Sequence, residues 1–159
     1  MIIAPYPWVG KLPRAQNTDG KFEQFVSLEY GVRATTIDLR NKIQRNGINT
    51  ISKILDLYAP ASDGNDPELY KAMVSRKTGI DRDTPLAADK NTLGLLVKAI
   101  TQIESGTPIS DTVFNKAWSL LNASAVETKI GAAVLTVGLM GIGVWLWKSG
   151  RLEKMLPNL

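Results

Sequence analysis

An uncharged apolar stretch of 18 residues, IGAAVLTVGLMGIGVWLW at positions 130–147, constrains this chain more than any other feature. As a helix it would be about 27 Å long at about 1.5 Å per residue, close to the hydrocarbon thickness of a bilayer. Lys129 and Lys148 flank it, and aromatic side chains beside a basic flank are typical of the headgroup region. A buried helix of a soluble domain is disfavoured because the stretch has no polar face. The sequence therefore predicts a transmembrane helix with these membrane contacts: Ile130, Leu135, Leu139, Trp145 and Trp147.

The rest of the chain divides around this predicted span. Residues 1–26 contain three prolines that break regular structure, so we expect an irregular segment packed on the head. Residues 27–122 are expected to form a helical domain, residues 123–129 a hinge and residues 148–159 a basic tail. The opening MIIAPYPWVG lacks a basic region, so no signal peptide is expected.

The net charge of +4 is concentrated near the predicted span. Residues 1–128 carry 15 basic and 14 acidic side chains, so the head is almost neutral. In the tail, Lys148, Arg151 and Lys154 are expected to contact the phosphates of lipid headgroups or of a packaged genome.

The region 27–122 has the helical pattern of apolar residues and no convincing strand alternation, which predicts an all-α fold. Five helices are expected, and residues with a short polar side chain stand at or next to each predicted start. These residues are Ser27, Asn49, Asp66, Asn91 and Ser110.

The chain contains no cysteine and no histidine. Their absence excludes disulfides, thiolate nucleophiles, metal sites built on Cys or His, and imidazole base catalysis. Any catalysis must therefore use carboxylates, hydroxyls, amides, Lys, Arg or backbone groups.

Glu104 is the first candidate for such chemistry. When Leu93 is set at 0° on the predicted fourth helix, Val97 falls near 40°, Ile100 near 340° and Glu104 near 20°, at about 100° per residue. Burial on this apolar arc and a position in the last turn both raise a carboxyl pKa. A protonated carboxylic acid at neutral pH is what a glycosidase needs as a general acid. The alternative is that the helix frays at residue 103 and Glu104 faces water or pairs with a Lys or Arg.

Glu29 is the second catalytic candidate. It lies in the first turn of a predicted helix, where the dipole stabilises an acid, and Arg33 follows at i+4. A surface ion pair between the two also accounts for its position.

A short acidic cluster precedes the third predicted helix. It lacks the full EF-hand spacing, so no metal or other cofactor is predicted. Its members are Asp63, Asn65, Asp66 and Glu68.

Several motifs over residues 8–122 resemble a family of phage virion-associated proteins. The most specific is F-x-x-F-x-S-x-E-Y-G-x-R-A, from Phe22 to Ala34. The others are Trp8-x-Gly10, Asp19, Gly47-x-Asn49-Thr50-Ile51-x-x-Ile54, Ala59-Pro60, Asn65-Asp66, Tyr70, Gly79, Ala99-Ile100 and Glu104-x-Gly106-x-Pro108.

The resemblance implies a small lysozyme-like helical head and a role as a phage structural protein or as an enzyme acting on peptidoglycan. The triplet Glu104-Ser105-Gly106 is also similar to the E-S-G at the end of the catalytic helix of lytic transglycosylases. In those enzymes the triplet lies early in the domain, whereas here it lies late.

The preferred prediction is a membrane-anchored virion structural protein that links an internal membrane to capsid or vertex proteins. The alternative is a virion-associated lytic transglycosylase or muramidase that acts on peptidoglycan at host entry, with Glu104 as acid and Glu29 assisting. A cellular tail-anchored protein of the host membrane is the third possibility.

Overall fold

Five α-helices form most of the chain that the computed structural model describes, which comprises residues 6–20, 22–58 and 66–122. Two short 3-10 turns, Arg14–Gln16 and Leu120–Asn122, lie before and after the helices. Within the described ranges, the extended backbone forms a single antiparallel bridge between Lys11 and Phe25. The helices are α1 (Leu28–Arg45), α2 (Ile51–Tyr58), α3 (Pro67–Thr78), α4 (Lys90–Ser105) and α5 (Asp111–Ser119).

The helix boundaries follow from capping by polar side chains. Asp66, Asp89 and Ser110 each accept hydrogen bonds from backbone N–H groups two or three residues later, which otherwise lack partners in the first turn. Gly79 and Gly106 end α3 and α4 in the left-handed conformation that glycine adopts without steric cost.

The hydrophobic core is centred on α4, which packs against both α1 and α3. Its apolar residues recur at helical spacing, so one broad face of the helix is withdrawn from water. On α4 the buried core residues are Leu93, Leu96, Val97, Ala99, Ile100 and Ile103.

The prediction of a fold with a transmembrane helix is wrong for the residues that the structure describes. In the three described ranges, no helix is both long enough and apolar enough to cross a bilayer. The longest, α1, has 18 residues but carries charged side chains such as Glu29 and Arg40, and a span of that length must be almost entirely apolar. The predicted fold class is therefore corrected to an all-helical arrangement of five helices.

The predictions for the C-terminal part fall outside the described residues. They comprise the hinge at 123–129, the stretch at 130–147 and the tail at 148–159. The named membrane and phosphate contacts also lie there: Ile130, Leu135, Leu139, Trp145, Trp147, Lys148, Arg151 and Lys154.

In the described part of the segment before α1, hydrogen bonds and an ion pair hold the backbone in place. Val26 N–H donates to the Gly10 carbonyl oxygen at 2.8 Å, and Lys11 pairs with the buried Glu23 at 2.9 Å. Gly10 has a φ of +77° and lies against the ring of Tyr30, so a side chain there meets both backbone strain and a steric clash.

Gly10→Ala is expected to destabilise the protein more than Gly20→Ala. A methyl group at Gly10 would lie 2.6 Å from Tyr30 Cδ1, whereas at Gly20, whose φ is +79°, it would meet nothing within 4 Å. Both variants incur the cost of a left-handed residue, about 1–2 kcal/mol, and overpacking adds about 1–3 kcal/mol at Gly10 alone. Urea unfolding of both variants measures the difference, and equal losses would contradict the close packing at Gly10.

Candidate active site around Glu104

Glu104 lies inside the last turn of α4 and contacts the core of the head. Its Oε1 accepts a hydrogen bond of 2.8 Å from the hydroxyl of Tyr70 on α3. Tyr70 is 0% exposed, so its hydroxyl has no access to water. Since α4 continues to Ser105, the alternative that the helix frays at residue 103 is not what the structure shows.

The surroundings of Glu104 favour its protonated form. Burial is the largest influence and raises the pKa of Glu104 above its ordinary value of 4.5, although the hydrogen bond from Tyr70 opposes the rise. Burial and the charge of Glu104 together raise the pKa of Tyr70 well above 10, so Tyr70 stays a neutral donor. The direction expected from the helical position of Glu104 is therefore confirmed, while its catalytic role stays a prediction.

A second carboxylate is bound by another tyrosine, Tyr58, on which the charge of Glu104 also acts. The hydroxyl of Tyr58 donates a short hydrogen bond to Asp38 Oδ2, and Lys42 Nζ lies 2.6 Å from Asp38 Oδ1. The Lys42 ammonium also lies 4.9 Å from the centre of the Tyr58 ring. Burial raises the pKa of Tyr58 well above 10, and the charges of Asp38 and Glu104 add to the rise.

Four helices supply the residues of this cluster, which we call the two-tyrosine site: Asp38, Lys42, Tyr58, Tyr70 and Glu104. Sequence reasoning found Glu104 but missed the other four as functional candidates. Two signals point to them. Asp38 and Lys42 are spaced i,i+4, and both tyrosines follow apolar helical patterns, where a buried hydroxyl requires a partner.

Glu29 belongs to a different set of contacts. Its Oε1 lies 3.1 Å from Lys116 Nζ of α5. Glu29 thus forms an ion pair with Lys116, and not with Arg33 as the i+4 spacing predicts. Burial acts to raise the pKa of Glu29, but its hydrogen bonds to Ser27 and Lys116 outweigh this and lower it. The described contacts therefore do not bring Glu29 and Glu104 together.

Arg33 connects the start of α1 to the end of α5. Its Nε and Nη2 donate to the carbonyl oxygens of Leu120 and Leu121, at 2.5 Å and 3.3 Å. This contact satisfies carbonyl groups that a helix end leaves unpaired, which explains why the guanidinium is not available to Glu29.

The acidic cluster before α3 is divided between capping and ion pairing. Asp66 caps α3, and Glu68 pairs with Lys71 at 2.9 Å and with Arg82 at 2.6 Å. Asp63 and Asn65 lie outside the described residues.

The two-tyrosine site combines a carboxyl of raised pKa with a second carboxylate. A carboxyl with a raised pKa holds its proton closer to neutral pH, where it is available for donation to a leaving oxygen. The Asp38 carboxylate, with one donor on each oxygen, supplies a fixed charge in the same region.

Wild type is expected to lose free energy of unfolding relative to Glu104→Gln as the pH rises. The folded pKa of Glu104 is raised, so below about pH 4.5 both states are protonated and no penalty exists. As the pH rises, the unfolded chain ionises first and the wild type loses stability until the folded carboxyl also ionises. The loss relative to the variant is about 1.4 kcal/mol for each unit by which the pKa is raised.

Glu29→Gln is the matched control, because the folded pKa of Glu29 is lowered. Wild type should be more stable than this variant above the unfolded pKa of about 4.5, and should lose that advantage as the pH falls through the lower folded pKa. Urea unfolding free energies at several pH values from about 3 to 7 measure both slopes. Slopes of the same sign would contradict the assigned environments.

The chain is similar to a bacteriophage protein. It is 33% identical over 89 residues to Protein P5 of Pseudoalteromonas phage PM2. The match covers 56% of this chain and 54% of the relative, so the chain spans about half the length of the curated relative it matches. No protein-family model matches the chain. The predicted likeness to phage proteins thus has support, while the lysozyme-like family stays a prediction.

Proposed function

We propose that this chain is a phage virion-associated protein that cleaves the glycan strands of peptidoglycan, with Glu104 as the general acid. The observation that carries the proposal is the Glu104 carboxyl, which accepts a hydrogen bond from the fully buried Tyr70 and has a raised pKa. The likeness to a phage protein supports the virion setting.

In the proposed reaction, Glu104 gives its proton to the glycosidic oxygen as the bond between that oxygen and the sugar C1 breaks. The carbon then forms a bond to an oxygen, either of water or of a hydroxyl group on the same sugar, and the proton that this oxygen loses returns to the Glu104 carboxylate. Negative charge near C1 stabilises the positive charge that develops there, and we assign this role to Asp38, the second carboxylate of the two-tyrosine site.

Zymography of the full chain on purified peptidoglycan tests the proposal. Wild type is expected to clear the substrate, and Glu104→Gln is expected to lower the activity by about 100-fold or more, because a general acid contributes about 10²–10⁴-fold. Glu29→Gln is the matched control and should retain activity, since Glu29 pairs with Lys116 and not with a residue of the two-tyrosine site.

A folded Glu104→Gln protein that clears peptidoglycan as fast as wild type would contradict the role of Glu104. A wild-type protein that clears no peptidoglycan would contradict the proposed function as a whole. Circular dichroism of each variant separates a lost reaction from a lost fold.

The second candidate is a structural role in the virion without catalysis, in contact with capsid proteins or a lipid layer. It is favoured by an exposed aromatic surface before α1. Tyr6 is 52% exposed and its ring centre lies 4.4 Å from that of Trp8. Tyrosine and tryptophan are enriched at protein interfaces and at membrane surfaces.

Phage that carry Glu104→Gln distinguish the two candidates. If the role is structural, particles form and infect normally. If the protein is a hydrolase, particles form in normal number but enter host cells poorly. Tyr6→Ala with Trp8→Ala is the reciprocal variant, and it should reduce assembly only in the structural case.

A further inference from the structure

An open crevice lies between the first half of α4 and the start of α5. Its cavity volume is about 260 Å³. No described residue that lines it belongs to the two-tyrosine site, so it is a second concave feature of the head. Sites for drug-sized ligands have volumes of about 300–1,000 Å³, so this crevice has room for a smaller ligand of about one or two amino-acid residues.

The floor of the crevice is apolar and depends on Gly94 of α4. Phe114 of α5 is 4% exposed and packs directly on this glycine, where an added Cβ atom would lie 2.8 Å from Phe114 Cε1. Glycine weakens a helix relative to alanine, and a close approach of this kind explains its presence inside α4. The ring and the glycine backbone together form a fixed apolar surface.

The rim of the crevice carries polar side chains from both helices. Lys90 and Asn91 come from the first turn of α4, Asn115 comes from α5, and all three are exposed. In the ranges that the structure describes, neither the Lys90 ammonium nor the two side-chain amides form a hydrogen bond or an ion pair. Asp89, which precedes Lys90, has its carboxylate engaged by the N–H of Asn91 at 2.8 Å.

The charges on the rim favour an anionic ligand. Lys98 and Asp111 form an ion pair there, and Lys98 Nζ lies 5.7 Å from the centre of the Phe114 ring. Because this pair balances its own charge, Lys90 leaves the crevice with a net charge of +1.

The side-chain chemistry of the crevice specifies three groups in its ligand. The Lys90 ammonium is a donor that suits a carboxylate, and the two side-chain amides offer both donors and acceptors that suit a peptide group. The apolar floor suits a small apolar side chain. The carboxyl end of a short peptide has all three groups within one or two residues.

We propose that this crevice binds the carboxyl end of a peptidoglycan stem peptide. Lys90 binds its carboxylate, Asn91 and Asn115 bind its last peptide group, and its small side chain lies on Gly94 and Phe114. Peptidoglycan as the source rests on the proposed function, whereas the class of ligand rests on the crevice alone. Binding there would hold the polymer by a part that cleavage of the glycan leaves intact.

Nuclear magnetic resonance titration of the full chain, labelled with 15N, tests the proposal with N-acetyl-D-alanyl-D-alanine as the probe. The side-chain amide signals of Asn91 and Asn115 and the backbone amide signal of Gly94 should shift to saturation. The same peptide with an amidated carboxyl end should bind about two- to fivefold more weakly, which is the range of one exposed charge pair.

Lys90→Gln should bind the acid and the amidated peptide equally well, because the charge that distinguishes them is gone. Lys53→Gln is the matched control, since Lys53 is exposed on α2 and does not line the crevice, and it should keep the preference for the acid. Both substitutions are at exposed lysines, and the amide spectrum of each variant reports its fold.

No shift of the three crevice signals, or a preference for the acid that persists in Lys90→Gln, would overturn the proposal. The L,L form of the peptide tests the source, because peptidoglycan stems end in D-alanine. Binding of the D,D form at least as tight as that of the L,L form supports a stem peptide, and weaker binding would overturn it. Binding requires no bond cleavage, so a protein that binds the peptide but clears no peptidoglycan would contradict only the proposed function.

Discussion

The hydrogen bond between Tyr70 and Glu104 is the interaction on which the arrangement of this protein depends. A fully buried phenol hydroxyl without a hydrogen-bond acceptor destabilises the folded state by about 1–3 kcal/mol. The helices α3 and α4 must therefore pack so that an acceptor lies within reach of Tyr70. The acceptor is a carboxyl at the end of α4, and the same burial raises its pKa. One contact therefore joins two helices, at a carboxyl whose pKa is raised by burial.

The other polar side chains of the head join helices in the same way. Arg33 ties α1 to the carbonyl groups that follow α5, and Lys71 bridges Asp56 of α2 and Glu68 of α3. The short helices bury only one face each, so these links fix how the helices meet. The two-tyrosine site is the part of this network where two tyrosine hydroxyls each donate to a carboxylate.

Local features of the fold were predictable from the sequence because they depend on neighbours in the chain. The caps at Asp66 and Ser110, the glycine end of α3 and the apolar arc that carries Glu104 all follow from spacing within one helix. Contacts between helices were not predictable in this way. Glu29 forms an ion pair with Lys116 on α5 and not with Arg33. Tyr58 donates a hydrogen bond to Asp38, which lies 20 residues earlier in the chain. The length, the apolar composition and the basic flanks of residues 130–147 predicted a span. No helix in the described ranges is long and apolar enough to cross a membrane.

Mass spectrometry of the fragments released from purified peptidoglycan tests the proposal that the carboxyl held by Tyr70 is an acid that cleaves glycosidic bonds. The full chain is expected to release fragments with new sugar ends and uncut stem peptides, and Glu104→Gln is expected to release almost none. Cleaved peptides with intact glycan strands, or no released fragments from a folded wild-type protein, would contradict it.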